Sequence, residues 1–465
     1  MAMGKRTERQ ESLFITTDKL ARGGGHPFYR KLNGLLAEAG FDRWVEDRCR
    51  QYYAQEEQRG QPSIPPGVYF RMLLVGYFEG IDSQRGIAWR CADSLGLRQF
   101  LGIPLDEATP DHSTLTNTRR RLPPEVFDEV FQFVLAIAAQ KKLLDVQTVG
   151  VDSTTLEANA AMKSIVRRDT GEDWRTYVAR LMRAEGLLEA DEEPNDEDLR
   201  RYDKKRKNKK VSNDEWVSKS DPEARITKLK DGRTHLAYKA EHVVDLASDI
   251  ILAAEIYEGH MADTATLVDS VLEAQVHLQA AGVEQQIEEV AADKGYHSAE
   301  GLELADSLAL RTYIPEPKYA HDRTWTDKPG EYRRVVYNNR RRVQRQKGKR
   351  LQRLRSEHCE RTFAHVCDTG GARRSWLRGV VDVTKRYLIA AAAHNLGRIL
   401  RALCGIGKPR VLQAGAGEDS AARRLAALLQ FLITRWQRAR ARFQRPLTTQ
   451  GKPPPLALSR LQKTA

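Results

Sequence analysis

At residue 146 the pattern of the sequence changes, and that change limits the folds open to the chain. From about residue 26 to residue 142, apolar residues recur at helical spacing between short turns. Val146-Gln147-Thr148-Val149-Gly150-Val151-Asp152 is then a short β-rich run that ends on an acid. A chain that switches from a 3.6-residue to a two-residue period, and later alternates between them, is neither a pure bundle nor a sandwich. After the acid, residues 160 to 225 return to helix and charge. Residues 226 to 258 read as a β meander with turns at Asp231-Gly232 and Ser248-Asp249. A helix follows over Ala262 to Ala281. Next come a strand over Gln286 to Asp293, a short helix over Ser298 to Ser307 and a strand over Leu310 to Ile314. Residues 315 to 350 are basic and aromatic with little periodicity, and Leu351 to Val366 and Val381 to Leu403 are helical. This order predicts an α/β fold, a mixed sheet with helices packed on it, carrying a helical insertion.

The helical part before residue 146 has its own punctuation. Pro65-Pro66 stands at a helix start before Val68 to Phe78, and Ser83 caps a helix running to about Ser94. Asp111 or Ser113 caps the helix that carries Arg119, Arg120 and Arg121, and Pro123-Pro124 ends it. A further amphipathic helix covers about Glu125 to Lys142. The expected divisions are a flexible lead-in over 1–25 ending in Gly23-Gly24-Gly25, an all-helical domain over 26–144, an α/β domain over 145–404 with the insertion at about 160–225, and a tail over 405–465. That tail reads as a linker, a basic helix over Ala421 to Phe443 with an apolar stripe from Leu425 to Trp436, and a disordered end.

The chain is 465 residues long, with 76 Lys+Arg against 63 Asp+Glu and a formal charge of +13. Basic surfaces attract phosphate backbones and release counterions, so the balance favours a polyanionic partner; a generally basic soluble protein has the same balance. The five cysteines form no Cys-x-x-Cys pair, which speaks against disulfides and a zinc ribbon and fits a reducing cytoplasm. The polar N-terminus is no signal peptide, and the apolar stretches are too short to span a bilayer. The expected location is therefore cytoplasmic, with no membrane partner.

Two acids, Asp152 and Asp293, end predicted strands, which sends both towards one edge of a sheet. Unpaired buried carboxylates are costly and need a cation, a basic partner or donors. Aspartate oxygens suit Mg²⁺ or Mn²⁺, and two such ions activate a nucleophile and stabilise a leaving oxygen in phosphoryl transfer. Each Asp taken alone reads equally as a strand-end turn former or helix cap. Glu360 is the third candidate, with Phe363, Ala364 and Cys367 on its helical face. Glu357 competes with it, and a salt bridge from Glu360 to Arg361, Arg355 or the basic loop is the plain alternative.

Three segments occur in order: Val149-Gly150-Val151-Asp152-Ser153-Thr154, Ala292-Asp293-Lys294-Gly295-Tyr296-His297 and Glu360-Arg361-Thr362-Phe363-Ala364-His365. They resemble the three acidic motifs of DDE transposases encoded by bacterial insertion sequences. Pro110-Asp111-His112-Ser113-Thr114, the segment from Gly370 to Gly379 and Ala393-His394-Asn395-Leu396 also look like that family, so the likeness runs over roughly residues 25 to 400. The resemblance implies an RNase H-like core in which Asp152, Asp293 and Glu360 hold two Mg²⁺ or Mn²⁺ ions. It implies cleavage at the terminal inverted repeats, strand transfer into target DNA, a helical N-terminal DNA-binding region and a homodimer in the synaptic complex, at the nucleoid when active. Many relatives carry an Arg four positions before the glutamate and a Lys seven after it. Ser356 and Cys367 stand there instead, which leaves Arg355, Arg373 or Arg374 for phosphate contact.

Basic residues before the Glu360 helix, Arg340, Arg341 and Arg342 among them, are interleaved with Tyr332, Tyr337 and nearby Trp325, a pattern suited to phosphates and unpaired bases. A solvated loop is the alternative. Arg119 to Arg121 suit a major groove or plain surface. Lys294 and His297 suit a scissile phosphate or a capped turn, and Lys204 to Lys210 suit pairing with their acidic neighbours. A nuclease that cuts without joining, and a DNA-binding protein with a dead core, are the other functional readings.

Overall fold

The computed structural model describes residues 25–53, 63–189, 191–207, 209–210, 212–228, 232–318, 324–326 and 328–412. The lead-in before Gly25, the Asp231 turn position and the basic C-terminal helix with its tail lie outside the described residues.

Among the described residues, seven α-helices precede the sheet: α1 (Pro27–Glu38), α2 (Phe41–Cys49), α3 (Pro66–Glu79), α4 (Gln84–Ala92), α5 (Leu95–Leu101), α6 (His112–Arg121) and α7 (Pro124–Gln140). Their starts follow the expected chemistry. Prolines occupy the first turns of α1, α3 and α7, and Ser83 caps α4. Asp111, not Ser113, caps α6. The helix expected to reach Ser94 instead ends at Ala92, because Ser94 caps α5. Phe28, Phe41, Tyr69, Phe70, Phe127 and Phe131 are almost fully buried here. Arg71 is buried among them, compensated by both carboxylate oxygens of Asp42, by Asn33 Oδ1 and by the Phe100 carbonyl.

The strands are β1 (Thr148–Glu157), β2 (Ile165–Arg167), β3 (Trp216–Ser218), β4 (Arg225–Lys228), β5 (Thr234–Asp245), β6 (Ile251–Glu258), β7 (Glu289–Ala292) and β8 (Arg311–Tyr313). The main sheet runs β4-β5-β1-β7-β8, with β6 also on β5. β5 is antiparallel to β1 and β6, whereas β7 is parallel to β1 and β8 to β7. The meander thus pairs antiparallel, while helix-linked strands add in parallel, as crossover geometry demands. The insertion holds α8 (Trp174–Ala184), α9 (Asp196–Lys205) and α10 (Ser212–Glu215), and it is closed by β2 pairing with β3. That short ribbon is absent from the sequence reading; three-residue strands leave too little alternation to see.

Four more helices cover the sheet: α11 (Asp263–Ala280), α12 (Ala299–Ser307), α13 (Gly330–Gln344) and α14 (Gln346–Phe363), before the long α15 (Val380–Cys404). The stretch read as aperiodic is largely α13 and the start of α14. Val335, Val336 and Asn339 form its buried face, but arginines fill so many other positions that the apolar period is masked. Three asparagines cap backbone groups beside the outer strands, among them Asn213 of α10, which bonds both N and O of Ile226 in β4. Asn395 of α15 bonds both N and O of Ile251, and Asn339 of α13 bonds both N and O of Ile314. His277 takes the Leu252 carbonyl, and Arg342 the Thr312 carbonyl. Among the described residues no helix is long and apolar enough to cross a membrane.

Candidate active site

Asp152 is the fifth residue of β1, not its end. The strand continues because residues 153 to 157 keep pairing with β5, Ser153 opposite Glu241 and Glu157 opposite Ala237. Asp293 does follow its strand. It caps the single turn Lys294–Tyr296, its carboxylate accepting the Gly295 N–H. In the parallel pairing of β1 with β7, Val151 stands beside Ala292, so Asp152 and Asp293 are the next neighbours across the two central strands. Side chains at such neighbouring positions leave the sheet on the same side.

α14 crosses that side. A Cβ on Gly150 would come within 2.7 Å of Leu246, 3.1 Å of the Arg355 side chain and 3.2 Å of Cys359 Sγ, so only glycine lets the helix lie this close to β1. Gln352 anchors the helix to the carbonyls of Ala292 and Tyr313. Arg355 donates to Asp152 Oδ2 at 2.8 Å, and Asp152 Oδ1 accepts the Ser153 N–H. Burial pushes the Cys359 thiol well above its ordinary value; the carboxylates of Asp152, Asp249 and Glu360 push the same way against Arg355. Cys359 therefore sits within the field of both Asp152 and Glu360. Glu360 itself is exposed and accepts from Ser356 Oγ at 2.8 Å, while its neighbour Glu357 is taken by Arg361. The apolar face expected around Glu360 is only partly present: Phe363 and Cys367 are buried, but Ala364 is exposed. We predict that Gly150→Val lifts α14 from β1 and lowers catalytic rate at least about tenfold, because small displacements of catalytic groups are costly. DNA affinity, measured by mobility shift, should change little.

Buried networks fix both acidic segments. Tyr296 places its hydroxyl 2.8 Å from Glu241, a fully buried carboxylate that also accepts from Thr266 and Ser270 and pairs with Lys239 at 3.0 Å. Lys239 also meets Asp263 at 2.8 Å, and Asp263 accepts from Ser153 Oγ at 3.0 Å. Asp263 and Asp293 both approach the point where a Cβ on Gly295 would sit, at 2.7 and 2.9 Å. Asp263, in the first turn of α11, is thus a fourth acid beside the site, which the sequence reading passed over because it looks like an ordinary helix start. On α14, Phe363 stacks on buried His242 at 4.0 Å, whose ring nitrogens meet Thr362 and Tyr387 hydroxyls at 2.9 and 2.8 Å. Burial lowers His242 well below its ordinary value, so it stays neutral. Arg361 and His358 of α14, with Arg398 of α15, converge on Asp249. Thr362, Phe363 and Arg361 of the third acidic segment are therefore supports for the helix that carries Glu360.

The basic candidates divide. Arg373 donates to Thr154 Oγ1 at 3.0 Å and to Asp368, two residues along β1 from Asp152, and it is exposed. Arg374 is exposed and lies 5.0 Å over the Trp376 ring. Their segment is held to the end of β1 by backbone bonds between Glu157 and both Arg373 and Ser375. Lys294 is exposed, whereas His297 is buried. Arg340 pairs with Glu316, and Arg341 is exposed on α13 and bonds Asn338. Arg342 corrects the expectation of a DNA contact: it is half-buried and spends its guanidinium on Thr312 of β8. Arg119 corrects it too. It is buried against Asp382 of α15 at 3.3 Å, while Arg120 and Arg121 are exposed. An arginine run on a helix cannot show which member faces the core.

A sheet in this strand order, with a helix laid across its central pair, defines an RNase H-like protein. A family model described as Transposase domain (DUF772) matches residues 17–121, and one described as Transposase DDE domain matches residues 317–400, which include α14 and Glu360. Together the two matches support a DDE transposase of an insertion sequence. No curated protein matches it.

Proposed function

We propose that the chain cuts DNA at the ends of its insertion sequence and joins the freed 3′-hydroxyl to target DNA, with Asp152, Asp293 and Glu360 as the acids that hold Mg²⁺ or Mn²⁺. This reading is supported by Asp152 and Asp293 being neighbours across β1 and β7, and by α14, the helix of Glu360, lying against β1 with its Arg355 on Asp152. The donor set suits hard divalent cations: all three offer carboxylate oxygens, and among the described residues neither Asp293 nor Glu360 has a basic side chain at ion-pair distance. Two bound ions would lower the pKa of an attacking water or 3′-hydroxyl and neutralise charge on the leaving oxygen. The protein's own groups do the remaining work. Arg355 compensates the charge of Asp152. Tyr296 and Glu241 hold the Asp293 loop, and Arg373 and Arg374 offer positive charge to the DNA backbone beside β1. A dimer would bring two ends together, and the terminal repeats and the target would both be bound.

The test is a cleavage and joining assay on duplexes made from the DNA that flanks the chain's own gene. Joining of a pre-cut end supports the transposase reading. Cleavage without joining favours a nuclease, and sequence-specific protection that is indifferent to metal favours a catalytically dead binder. Replacing Arg373 and Arg374 by alanine should weaken binding uniformly across sequences. It should also flatten the dependence of log K on log salt by about one to two, as loss of one or two phosphate contacts requires. An unchanged slope in filter-binding titrations removes these arginines from the interface.

A further inference from the structure

Away from the catalytic face, α7 and α11 meet at a cluster that the transposase reading does not use. His277, near the end of α11, is completely buried. Its Nδ1 lies 2.9 Å from the Leu252 carbonyl, which can only accept, so Nδ1 carries the proton. Its Nε2 is buried and makes no hydrogen bond of acceptable geometry. Yet Asp128 Oδ1 of α7 stands 3.0 Å from it and Glu273 Oε1 stands 3.1 Å from it. A ring nitrogen facing two carboxylates must either be protonated, a state that burial opposes but these acids favour by raising His277 to about 10, or share a cation with them. Phe131 packs edge-on against the ring and keeps it from turning.

We propose that Asp128, Glu273 and His277 form a binding site for a divalent transition metal of the zinc class, tying the helical region to the α/β core. The three ligand atoms lie within 4.8 Å of one another. The nitrogen-to-oxygen spacings approach the separation of about 3.3 Å expected of tetrahedral ligands on bonds near 2.0 Å. Donation of the second ring N–H to a backbone carbonyl is the usual device that fixes a metal-binding histidine. One imidazole and two carboxylates suit Zn²⁺ or Mn²⁺, whereas the catalytic acids offer oxygen alone. Glu255 of β6 lines the adjoining cavity of 410 Å³ together with Asp128 and Glu273, which leaves room for a further ligand or water. The end of a helix also favours a cation at this position. The site does not depend on the transposase reading.

The full-length protein is stripped with EDTA and given one equivalent of Zn²⁺, and the metal's surroundings are read by X-ray absorption at the zinc edge, with thermal unfolding in parallel. One imidazole in the zinc shell and a raised unfolding midpoint are expected. Both should persist in Asp152→Asn, which alters only the catalytic acids. Glu273→Gln removes a half-exposed ligand without touching the buried ring; it should weaken zinc binding about tenfold or more and abolish the rise in midpoint. His277→Gln should remove the imidazole signal if that variant folds. Zinc bound without imidazole, or zinc binding and midpoint unchanged in Glu273→Gln, would overturn the site and leave a protonated histidine between two acids.

Discussion

Asp152→Asn, Asp293→Asn and Glu360→Gln are each expected to lower cleavage and joining by about a thousandfold or more, because a metal-assisted displacement loses several kcal/mol of transition-state stabilisation when one ligand becomes neutral. Specific binding to the element ends should survive, since Arg373, Arg374, Arg120 and Arg121 are untouched. The three substitutions are not equivalent structurally. Glu360 is exposed and, among the described residues, hydrogen-bonds to Ser356 alone, so its amide is accommodated without strain. Asp152 is paired with Arg355, so the amide leaves a largely buried guanidinium with a poorer acceptor, and some loss of stability is expected there as well. Asp293 caps its own turn, a task asparagine performs equally. Gel assays of nicking and joining, with circular dichroism to confirm folding, separate the effects. Substantial cleavage by Asp293→Asn would remove that residue from the acids and turn attention to Asp263, whose carboxylate lies beside it.

The second large effect concerns stability. Asp249→Ala is expected to cost about 3–5 kcal/mol, the penalty for leaving a buried ionic cluster without one of its signs. Asp249 is 2% exposed, occupies the turn between β5 and β6 with a positive φ of 65°, and is met by His358, Arg361 and Arg398. Burial by itself would raise its carboxyl, but the His358 hydrogen bond and the charges of Arg398 and Arg361 hold it down to about 2. A depressed carboxyl stabilises the fold above its ordinary pKa of about 4, and that contribution is lost as pH falls through 2. The wild-type protein should therefore lose stability between roughly pH 4 and pH 2, and Asp249→Ala should lose less over that interval. Denaturant titrations at pH 7 and pH 3 measure both. Equal pH sensitivity in the two proteins would show that the cluster is not the acid-labile element.

Much of this arrangement is legible in the residues themselves. Asp293 at a strand end, the caps at Ser83 and Asp111, and the alternation of strand and helix after residue 146 all depend on local chemistry that one short window reveals. What escapes a sequence reading depends on partners far along the chain. Asp152 sits inside a strand because β5, some ninety residues later, continues to pair with Ser153 and the residues after it. Arg119 and Arg342 look like their exposed neighbours until α15 and β8 are in place. Glu241 and Lys239 alternate with apolar residues like any half-exposed strand, yet both are buried, which their mutual ion pair, Asp263 and the hydroxyls of Tyr296, Thr266 and Ser270 make tolerable.

The side chains that occupy the sheet's flanks bear on how copies of the protein meet. With Asn395 and His277 on one flank and Asn339 and Arg342 on the other, backbone groups that would template a foreign strand are already engaged. Growth by adding β-structure from a neighbouring molecule is thereby discouraged, both as a route to aggregates and as a means of assembly. Two molecules gathered on one length of nucleic acid would have to recognise each other through helices, loops or the DNA itself.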